Sequence, residues 1–290
     1  MLFATGLGTP EGPVVLKDGS WLLVEMSPDR GCVTHISPDG KTRKVLAKTG
    51  RPNGLAVDKK GIIWVAESQT RALLRMTMNG QFKIVLTECD GEPFLFPNDL
   101  AFGPDGALYM TDSGLLFKDL APGGVLRADW RTCQVDGRVY RIDTRARKIE
   151  KLDAGIRFTN GLAFGPDGDL YVSETWTGNI YRYPFRNGRV LGRRELFGNV
   201  KDPQGPDIMR GADGIKFGAD GNLYATVFAQ GDVTVLGPDG KVVKRLKTAG
   251  RQPSNLAFGL PGDKRIYVTE DETGVLEALE VGCDGLPLYH

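Results

Sequence analysis

Apolar and polar residues alternate along short segments of this chain, and the alternating segments come in pairs. Residues 96–114 show the pattern clearly: FPNDLAFGPDGALYMTDSG contains an alternating run, an Asp-Gly pair at Asp105 and Gly106, and a second run that ends at Asp112. A strand, a tight turn and a returning strand are the structure that this pattern predicts. No segment of convincing length has the 3.6-residue apolar period of a helix, so we predict an all-β protein.

The paired pattern occurs six times. The copies begin at Glu11, Asn53, Asn98, Asn160, Asp213 and Asn255. A turn glycine follows eight positions after the start in the first five copies, whereas Gly262 follows the sixth start at seven. Repeats of roughly 40–50 residues made of short strands indicate a β-propeller with one four-stranded blade per repeat. We therefore predict a six-bladed β-propeller in which residues 1–290 form a single domain.

Two segments fall outside the repeats. Residues 2–8 precede the first copy, and the last copy is followed by too few residues for a full blade. We expect the N-terminal segment to supply the outer strand of the last blade, since closing the ring removes an exposed sheet edge. Residues 115–136 form an insertion in the third repeat, and we expect them to fold over the central site as a lid.

Composition and charge narrow the choice of partners and compartment. The formal net charge of +1 gives no reason to expect a nucleic acid or a membrane surface as partner. No stretch approaches a membrane span, and the N-terminus lacks the pattern of a signal peptide. The four cysteines have neither CxxC pairing nor metal-ligand spacing, which favours free thiols. We expect a cytoplasmic protein that is monomeric or weakly self-associating and acts on a small molecule.

The start positions of the repeats are candidates for binding a cation. Innermost strands line the channel of a propeller, so these six side chains should form a ring around the axis. A second column closes the returning strands: Glu25, Glu67, Asp112, Glu174, Val227 and Glu270. Carboxylate and amide oxygens in a ring suit a hard cation such as Ca²⁺, and the absence of His and Cys from the ring disfavours a zinc site.

A structural explanation of both columns stays open. Asn-Gly and Asp-Gly are common turn dipeptides, and an Asn before a strand often bonds its own backbone. The acidic column is open to interpretation as solvated strand ends. Asp112, which lies nearest to the insertion, is the best functional candidate of that column.

Four stretches give the chain a resemblance to a known family: PEGP at 10–13, PNDLAFGPDGALYMTDSG at 97–114, TNGLAFGPDGDLYVSET at 159–175 and ADGIKFGADGNLYAT at 212–226. Over essentially its whole length the chain resembles the SMP-30/gluconolactonase/luciferin-regenerating-enzyme family. The resemblance implies one divalent cation held by Glu11, Asn98, Asn160 and Asp213. Ca²⁺ is the expected ion, with Mg²⁺, Mn²⁺ and Zn²⁺ as alternatives.

The resemblance also implies hydrolysis of a lactone. A bound cation polarises the carbonyl and stabilises the oxyanion that forms when water attacks. A carboxylate must accept the proton of that water, and the family suggests Asp213, with Asp112 and Asp99 as alternatives and Asn98 as a further contact to metal or substrate. The two histidines are His35, in a predicted outer strand of blade one, and His290. This count and the absence of a GxSxG motif disfavour catalysis by a histidine pair or by a serine and a histidine.

Two departures from the family bear on the substrate. Animal members that act on sugar lactones have an Arg two residues before the Asn of the PND motif, where this chain has Phe96. Many bacterial members have Glu-His where this chain has Glu67 and Ser68. Both changes suggest a substrate less polar than gluconolactone. The residues expected to contact it are Asn53, Phe96, Trp130, Trp176 and Arg210.

Two other functions remain possible from the sequence. One is a non-catalytic propeller that the metal stabilises and that serves as a binding module. The other is hydrolysis of a phosphoester or organophosphate, because related propellers use a similar set of Glu, Asn, Asn and Asp.

Overall fold

Each predicted strand pair forms the inner half of a four-stranded antiparallel sheet. The computed structural model describes residues 1–186 and 188–289, so His290 lies outside the described residues. Within those ranges six four-stranded sheets are present, and four of them are built from four consecutive strands. The arrangement confirms the predicted six-bladed β-propeller.

The first half of the chain forms blades one to three. The chain begins with β1 (Leu2–Thr5), and blade one contains β2 (Pro10–Val15), β3 (Trp21–Glu25), β4 (Cys32–Ile36) and β5 (Arg43–Lys48). Blade two contains β6 (Pro52–Val57), β7 (Ile63–Glu67), β8 (Ala72–Met76) and β9 (Phe82–Leu86), and a short hairpin of β10 (Glu88–Cys89) and β11 (Glu92–Pro93) follows it. Blade three contains β12 (Pro97–Phe102), β13 (Leu108–Asp112), β14 (Gly137–Asp143) and β15 (Lys148–Ile156). The insertion between β13 and β14 contains the short helix α1 (Phe117–Leu120) and a 3₁₀ turn (Pro122–Gly124).

The second half forms blades four to six. Blade four contains β16 (Thr159–Phe164), β17 (Leu170–Glu174) and β18 (Asn179–Tyr183), then the hairpin β19 (Phe185–Arg186) and β20 (Arg189–Val190), and its outer strand β21 (Glu195–Asn199). Blade five contains β22 (Gly211–Phe217), β23 (Leu223–Phe228), β24 (Asp232–Leu236) and β25 (Val242–Lys247). Blade six contains β26 (Pro253–Phe258), β27 (Arg265–Glu270) and β28 (Val275–Glu280).

The N-terminal strand completes blade six. β1 pairs antiparallel with β28, with Thr5 opposite Val275. The ring of Phe3 lies 6.1 Å from that of Trp21 and 5.1 Å from that of Tyr267, so β1 joins the first blade to the last. The predicted closure by the N-terminal segment is confirmed.

The core lies between neighbouring blades, and it explains the aromatic residue that recurs on the second strand. Tyr109 packs edge-on against Phe164 of the next blade, with ring centroids 5.0 Å apart. Tyr224 packs in the same way against Phe258 at 5.2 Å. Such edge-to-face pairs are favourable contacts between aromatic rings. The repeated sequence therefore encodes the packing of one blade on the next.

Two further expectations concern cysteines and membrane spans. The four cysteines are free, and Cys32 and Cys89 are buried. In residues 1–186 and 188–289, no helix has both the length and the apolar character needed to cross a membrane.

Candidate metal-binding and substrate site

Five of the six predicted ring positions begin the inner strands and are buried. Relative exposure is 3% for Glu11, 4% for Asn53, Asn98 and Asn160, and 9% for Asp213. Four of these residues are the second residue of the inner strand of their blade, and Asp213 is the third. The start positions therefore occupy equivalent places in five blades.

The assignment in blade six is wrong by one residue. In blade three Pro97 pairs with Asp112, and in blade six Pro253 pairs with Glu270. This register makes Ser254, rather than Asn255, the counterpart of Asn98. Asn255 instead matches Asp99, since the backbone N–H of each donates to a threonine hydroxyl of the neighbouring strand at 3.0 Å. The side chain of Asn255 still reaches the ring, because its Nδ2 donates to Oε2 of Glu11 at 3.0 Å. The early glycine of the sixth copy was the sign of this one-residue offset.

The glycine after the ring position allows the inner strands to approach each other. A Cβ atom on Gly161 would lie 2.5 Å from the carbonyl oxygen of Asp213, and one on Gly214 would lie 2.0 Å from Oδ1 of Asn255. Both glycines lie inside strands, β16 and β22, rather than in turns. The interpretation of these Asn-Gly and Asp-Gly pairs as turn dipeptides is therefore wrong, and close backbone approach is the reason for glycine.

Two ring amides present their oxygens without a hydrogen-bond partner. Nδ2 of Asn98 donates to Oγ of Ser113 at 2.9 Å, and Nδ2 of Asn160 donates to Oγ1 of Thr175 at 3.1 Å. The two hydroxyls donate in turn to the carbonyls of Thr159 and Ala212. Since each hydroxyl proton is engaged, the hydroxyl can only accept from the amide, and this fixes the amide orientation. Oδ1 of both asparagines is left buried with no partner among the described residues.

Buried carboxylates converge on the same region. Burial raises the pKa of Glu11 well above its usual range, and repulsion from Asp99 adds to the rise. Burial likewise raises the pKa of Asp213, followed by repulsion from Glu11 and then from Asp271. Carboxyl groups that raise each other's pKa need a nearby cation to be stable in the ionised form. A cation bound between Glu11 and Asp213 would meet that need.

The donor set fits a hard divalent cation. Two carboxylates and two amide oxygens are the ligand types that Ca²⁺ prefers. Among the residues that the structure describes, no group of three or more His, Cys, Asp or Glu side chains is arranged to hold a metal ion. The four candidate ligands differ from such a group, because two of them, Asn98 and Asn160, are amides.

The acidic second column binds backbone rather than solvent. Asp112 accepts from the backbone N–H groups of Leu95, Phe96 and Gly114 at 2.8 to 3.0 Å. Glu270 accepts in the same way from Gln252 at 2.8 Å. The column is buried, which contradicts its interpretation as solvated strand ends. This geometry favours a structural role for Asp112, which ties the loop before the inner strand to the end of the second strand, over the role of proton acceptor.

Two charged residues at the site were missed by the sequence reasoning. The guanidinium carbon of Arg51 lies 3.9 Å from the ring centroid of Phe117 and 5.1 Å from that of Phe96. Burial lowers the pKa of Arg51 to about 10, and the charges of Asp271, Glu67 and Glu11 oppose that fall. Asp271 comes directly after Glu270, just as Ser113 comes directly after Asp112. In blade six it therefore occupies the position from which Ser113 orients a ring amide in blade three. The sequence did contain one sign of a role for Arg51: it lies two residues before the ring residue Asn53, as Phe96 lies two residues before Asn98.

The insertion, two inter-blade segments and the loop between β17 and β18 form an aromatic wall beside the ring. Phe96 packs on Phe158 at 5.9 Å between ring centroids, Phe158 stacks on Trp176 at 6.1 Å, and Trp176 contacts Trp130 of the insertion at 6.0 Å. Three of the predicted substrate residues thus lie in one continuous surface. Asn53 belongs to the ring itself.

Arg210, the fifth predicted substrate residue, holds a loop. Its guanidinium donates to the carbonyl oxygens of Pro206 and Asp202, both at 2.8 Å, and to Oε1 of Gln230. The side chain is nevertheless part of the wall of a cavity beside Trp176.

Known proteins match the chain over most of its length. Residues 9–271 match the family described as SMP-30/Gluconolactonase/LRE-like region. A gluconolactonase from Zymomonas mobilis is 30% identical over 279 residues, covering 90% of this chain and 76% of that protein. The diisopropyl-fluorophosphatase of Loligo vulgaris is 27% identical over 304 residues, covering 96% and 91%. The solved structure of a gluconolactonase from Xanthomonas campestris has a TM-score of 0.77 and 26% identity, covering 98% of this chain and 89% of that one.

Proposed function

The chain belongs to the SMP-30/Gluconolactonase/LRE-like family, and on this premise we propose that it is a hydrolase of lactones that depends on one divalent cation. The observation that carries the proposal is the pair of unpartnered amide oxygens on Asn98 and Asn160, beside the buried carboxylates Glu11 and Asp213. A buried acceptor without a partner is costly, and a cation at the axis would satisfy both oxygens together. The gluconolactonase relatives support the lactone as substrate.

We assign the residues of the site different roles in the reaction. Glu11, Asn98, Asn160 and Asp213 would hold the cation, with Ca²⁺ as the best fit to their oxygens. When bound, the cation supplies polarisation of the lactone carbonyl. Asp213, whose carboxylate the cation would keep ionised, accepts the proton of the attacking water. Arg51, which packs on Phe96 and lies near the carboxylate of Glu11, would contact the lactone and position it.

The aromatic wall limits access of water. Phe96, Phe158 and Trp176 pack with Leu115 and Leu120 of the insertion in one apolar cluster. An apolar cover strengthens electrostatic interactions beneath it and protects the reacting group from bulk solvent. We propose that residues 115–136 act as the lid of the site.

Hydrolysis of an organophosphate is the second candidate. The match to the diisopropyl-fluorophosphatase covers nearly the whole of both chains, and a set of hard oxygens around a cation can also activate a phosphoryl group.

The first prediction is metal-dependent turnover that requires Asp213. We expect an indicator assay on a panel of lactones to show hydrolysis with Ca²⁺, loss of hydrolysis with chelator, and a fall of about 100-fold or more for Asp213→Asn, which removes a metal ligand and the base. Asp239→Asn makes the same change at an exposed turn of the same blade and should retain full activity.

Three outcomes would decide against the proposal. Turnover in excess chelator would show that the reaction does not need a metal. Turnover of organophosphates but of no lactone would favour the second candidate. Stabilisation by metal with no turnover of either class would leave a non-catalytic binding module.

A further inference from the structure

A cavity of about 330 Å³ lies beside the ring, on the same face of the propeller. Its walls come from the insertion, from the loops around blade four and from the segment before β22. Four cationic side chains line it: Arg131, Arg157, Lys201 and Arg210. Asp207 is the one acidic side chain among the described residues that line it.

The positive charge of this cavity is mostly uncompensated. Arg131 pairs with Asp207 at 2.8 Å. The other cations bond instead to neutral carbonyl oxygens: Nζ of Lys201 donates to Trp176 at 2.6 Å, and Arg157 donates to Arg131. Burial lowers the pKa of Lys201 and repulsion from Arg210 lowers it further, while the charge of Asp207 opposes the fall. An anion in the cavity would relieve this repulsion.

A buried donor without a partner lies in the same wall. Trp176 is 4% exposed, and its indole N–H has no hydrogen-bond partner among the described residues. Buried indole N–H groups normally find an acceptor. A ligand in the cavity would therefore supply the acceptor that the indole N–H of Trp176 lacks.

We propose that this cavity binds an anionic group carried by the substrate, and that the natural substrate is a lactone with a carboxylate, sulfonate or phosphate substituent. This inference rests on the proposed lactone hydrolysis. It departs from the expectation, drawn from Phe96 and Ser68, of a substrate less polar than gluconolactone, because the residues that line this cavity are others. The position of the cavity supports it, because Trp176 directly follows Thr175, whose hydroxyl orients the ring amide of Asn160. Trp130 and Trp176 supply the apolar part of the cavity wall, against which the carbon skeleton of such a molecule would lie.

Two matched substrates test the inference. D-glucono-δ-lactone is neutral, and its 6-phosphate carries the anion on the same ring. We expect the intact protein to have a higher kcat/KM for the phosphate. Lys201→Met should lower the preference for the phosphate about tenfold or more, mainly through KM, because a charge-assisted hydrogen bond is lost.

Three further variants separate charge from structure. Lys201→Arg should restore most of the preference, and Arg157→Gln should reduce it independently of Lys201. Arg145→Gln removes one positive charge from an exposed turn and should leave the preference unchanged. Equal kcat/KM for the two lactones in the intact protein would overturn the inference.

A direct binding measurement keeps the cavity separate from the reaction. Sulfate binding, measured by calorimetry at constant ionic strength, should be present in the intact protein and weakened by Lys201→Met and Arg157→Gln. Such binding without turnover of any lactone would uphold the anion site and reject the proposed function. Sulfate binding without any preference for the phosphorylated lactone would assign the cavity to free anions and overturn the substrate inference. Sulfate binding that the two variants leave unchanged would be an adventitious ion only.

Discussion

At the scale of single residues, the site depends on which atoms are left without a partner. Ser113 and Thr175 each give their proton to a carbonyl of the next blade, so the asparagines beside them must turn their oxygens away. The unpartnered oxygens of Asn98 and Asn160 then lie beside carboxylates whose pKa is raised. A site of this kind is unfavourable when empty and favourable when a cation completes it.

The raised pKa values predict how the metal-free protein responds to pH. Folded Glu11 and Asp213 hold protons that the unfolded chain releases near 4.5 and 3.8. Their contribution to stability is therefore fully present below those values and is lost as pH rises through the raised folded pKa values. We expect the difference in Tm between Asp213→Asn and the unaltered protein, both in chelator, to grow in favour of the variant from about pH 4 to about pH 8.

Calcium should remove this pH dependence, because it replaces the protons on the carboxylates. A scanning calorimetry series with and without Ca²⁺ measures both effects. Asp239→Asn is the control for a loss of charge at the surface. Hydrogen bonds with Lys241 lower the pKa of Asp239, so this variant should keep a constant difference in Tm from the unaltered protein above about pH 5. If Asp213→Asn and the unaltered protein keep a constant difference in Tm in chelator, the two carboxyls are not the source of the pH dependence.

Single residues were also where the sequence was hardest to interpret. The phase of the repeat gave six candidate ring positions, and the resemblance to the family selected Glu11, Asn98, Asn160 and Asp213 among them. Asn255 was misplaced because identity of residue type suggested one register, whereas strand pairing requires another. Arg51 was missed because its role comes from contacts with Phe96 and Phe117, which are far from it in sequence.

At the scale of elements, the spacing between inner strands is set by glycine. β16 and β22 approach so closely at Gly161 that a methyl group would lie 2.7 Å from the Cα atom of Gly214. The neighbouring atoms belong to backbone, which cannot move aside as a flexible side chain can. The strands themselves were predictable from alternation, but the distance between blades was not, since the sequence pattern describes each hairpin separately.

Gly161→Ala should therefore impair metal binding as well as stability. We expect a loss of about 1–3 kcal/mol in the free energy of unfolding from overpacking. We also expect weaker binding of Ca²⁺, because Asn160 and Asp213 lie on the two strands that would be displaced. Urea unfolding and calorimetric titration with Ca²⁺ measure the two effects.

Gly168→Ala is the matched control in the same blade. Gly168 has a φ of +78° and no atom within 4 Å of an added Cβ, so alanine there should cost about 1–2 kcal/mol through backbone strain alone. Similar losses of stability with loss of Ca²⁺ affinity only in Gly161→Ala would support the close approach. Equal Ca²⁺ affinity in the two variants would contradict it.

At the scale of the whole molecule, both ends of the described chain hold the ring together in different ways. β1 completes blade six, whereas the C-terminal tail crosses the face opposite the site. There Gly285 bridges to Gly218 at the end of β22, and Tyr289 bridges to Phe102 at the end of β12. Closure by β1 could be predicted because the repeats left one strand missing. The path of the tail could not, since its residues have no repeat pattern.

These two roles predict different results for two truncations. Deleting residues 1–5 removes β1, its pairing with β28 and the contacts of Phe3 with Trp21 and Tyr267. We expect Tm to fall by at least about 5 °C and the protein to self-associate through the exposed edge of β28. Deleting residues 286–290 removes the part of the tail beyond Gly285 but leaves all six sheets paired, so it should lower Tm less and cause no self-association. Calorimetry and light scattering after size exclusion measure both properties. If the first truncation stays monomeric with an unchanged Tm, pairing between β1 and β28 is not what keeps the propeller closed.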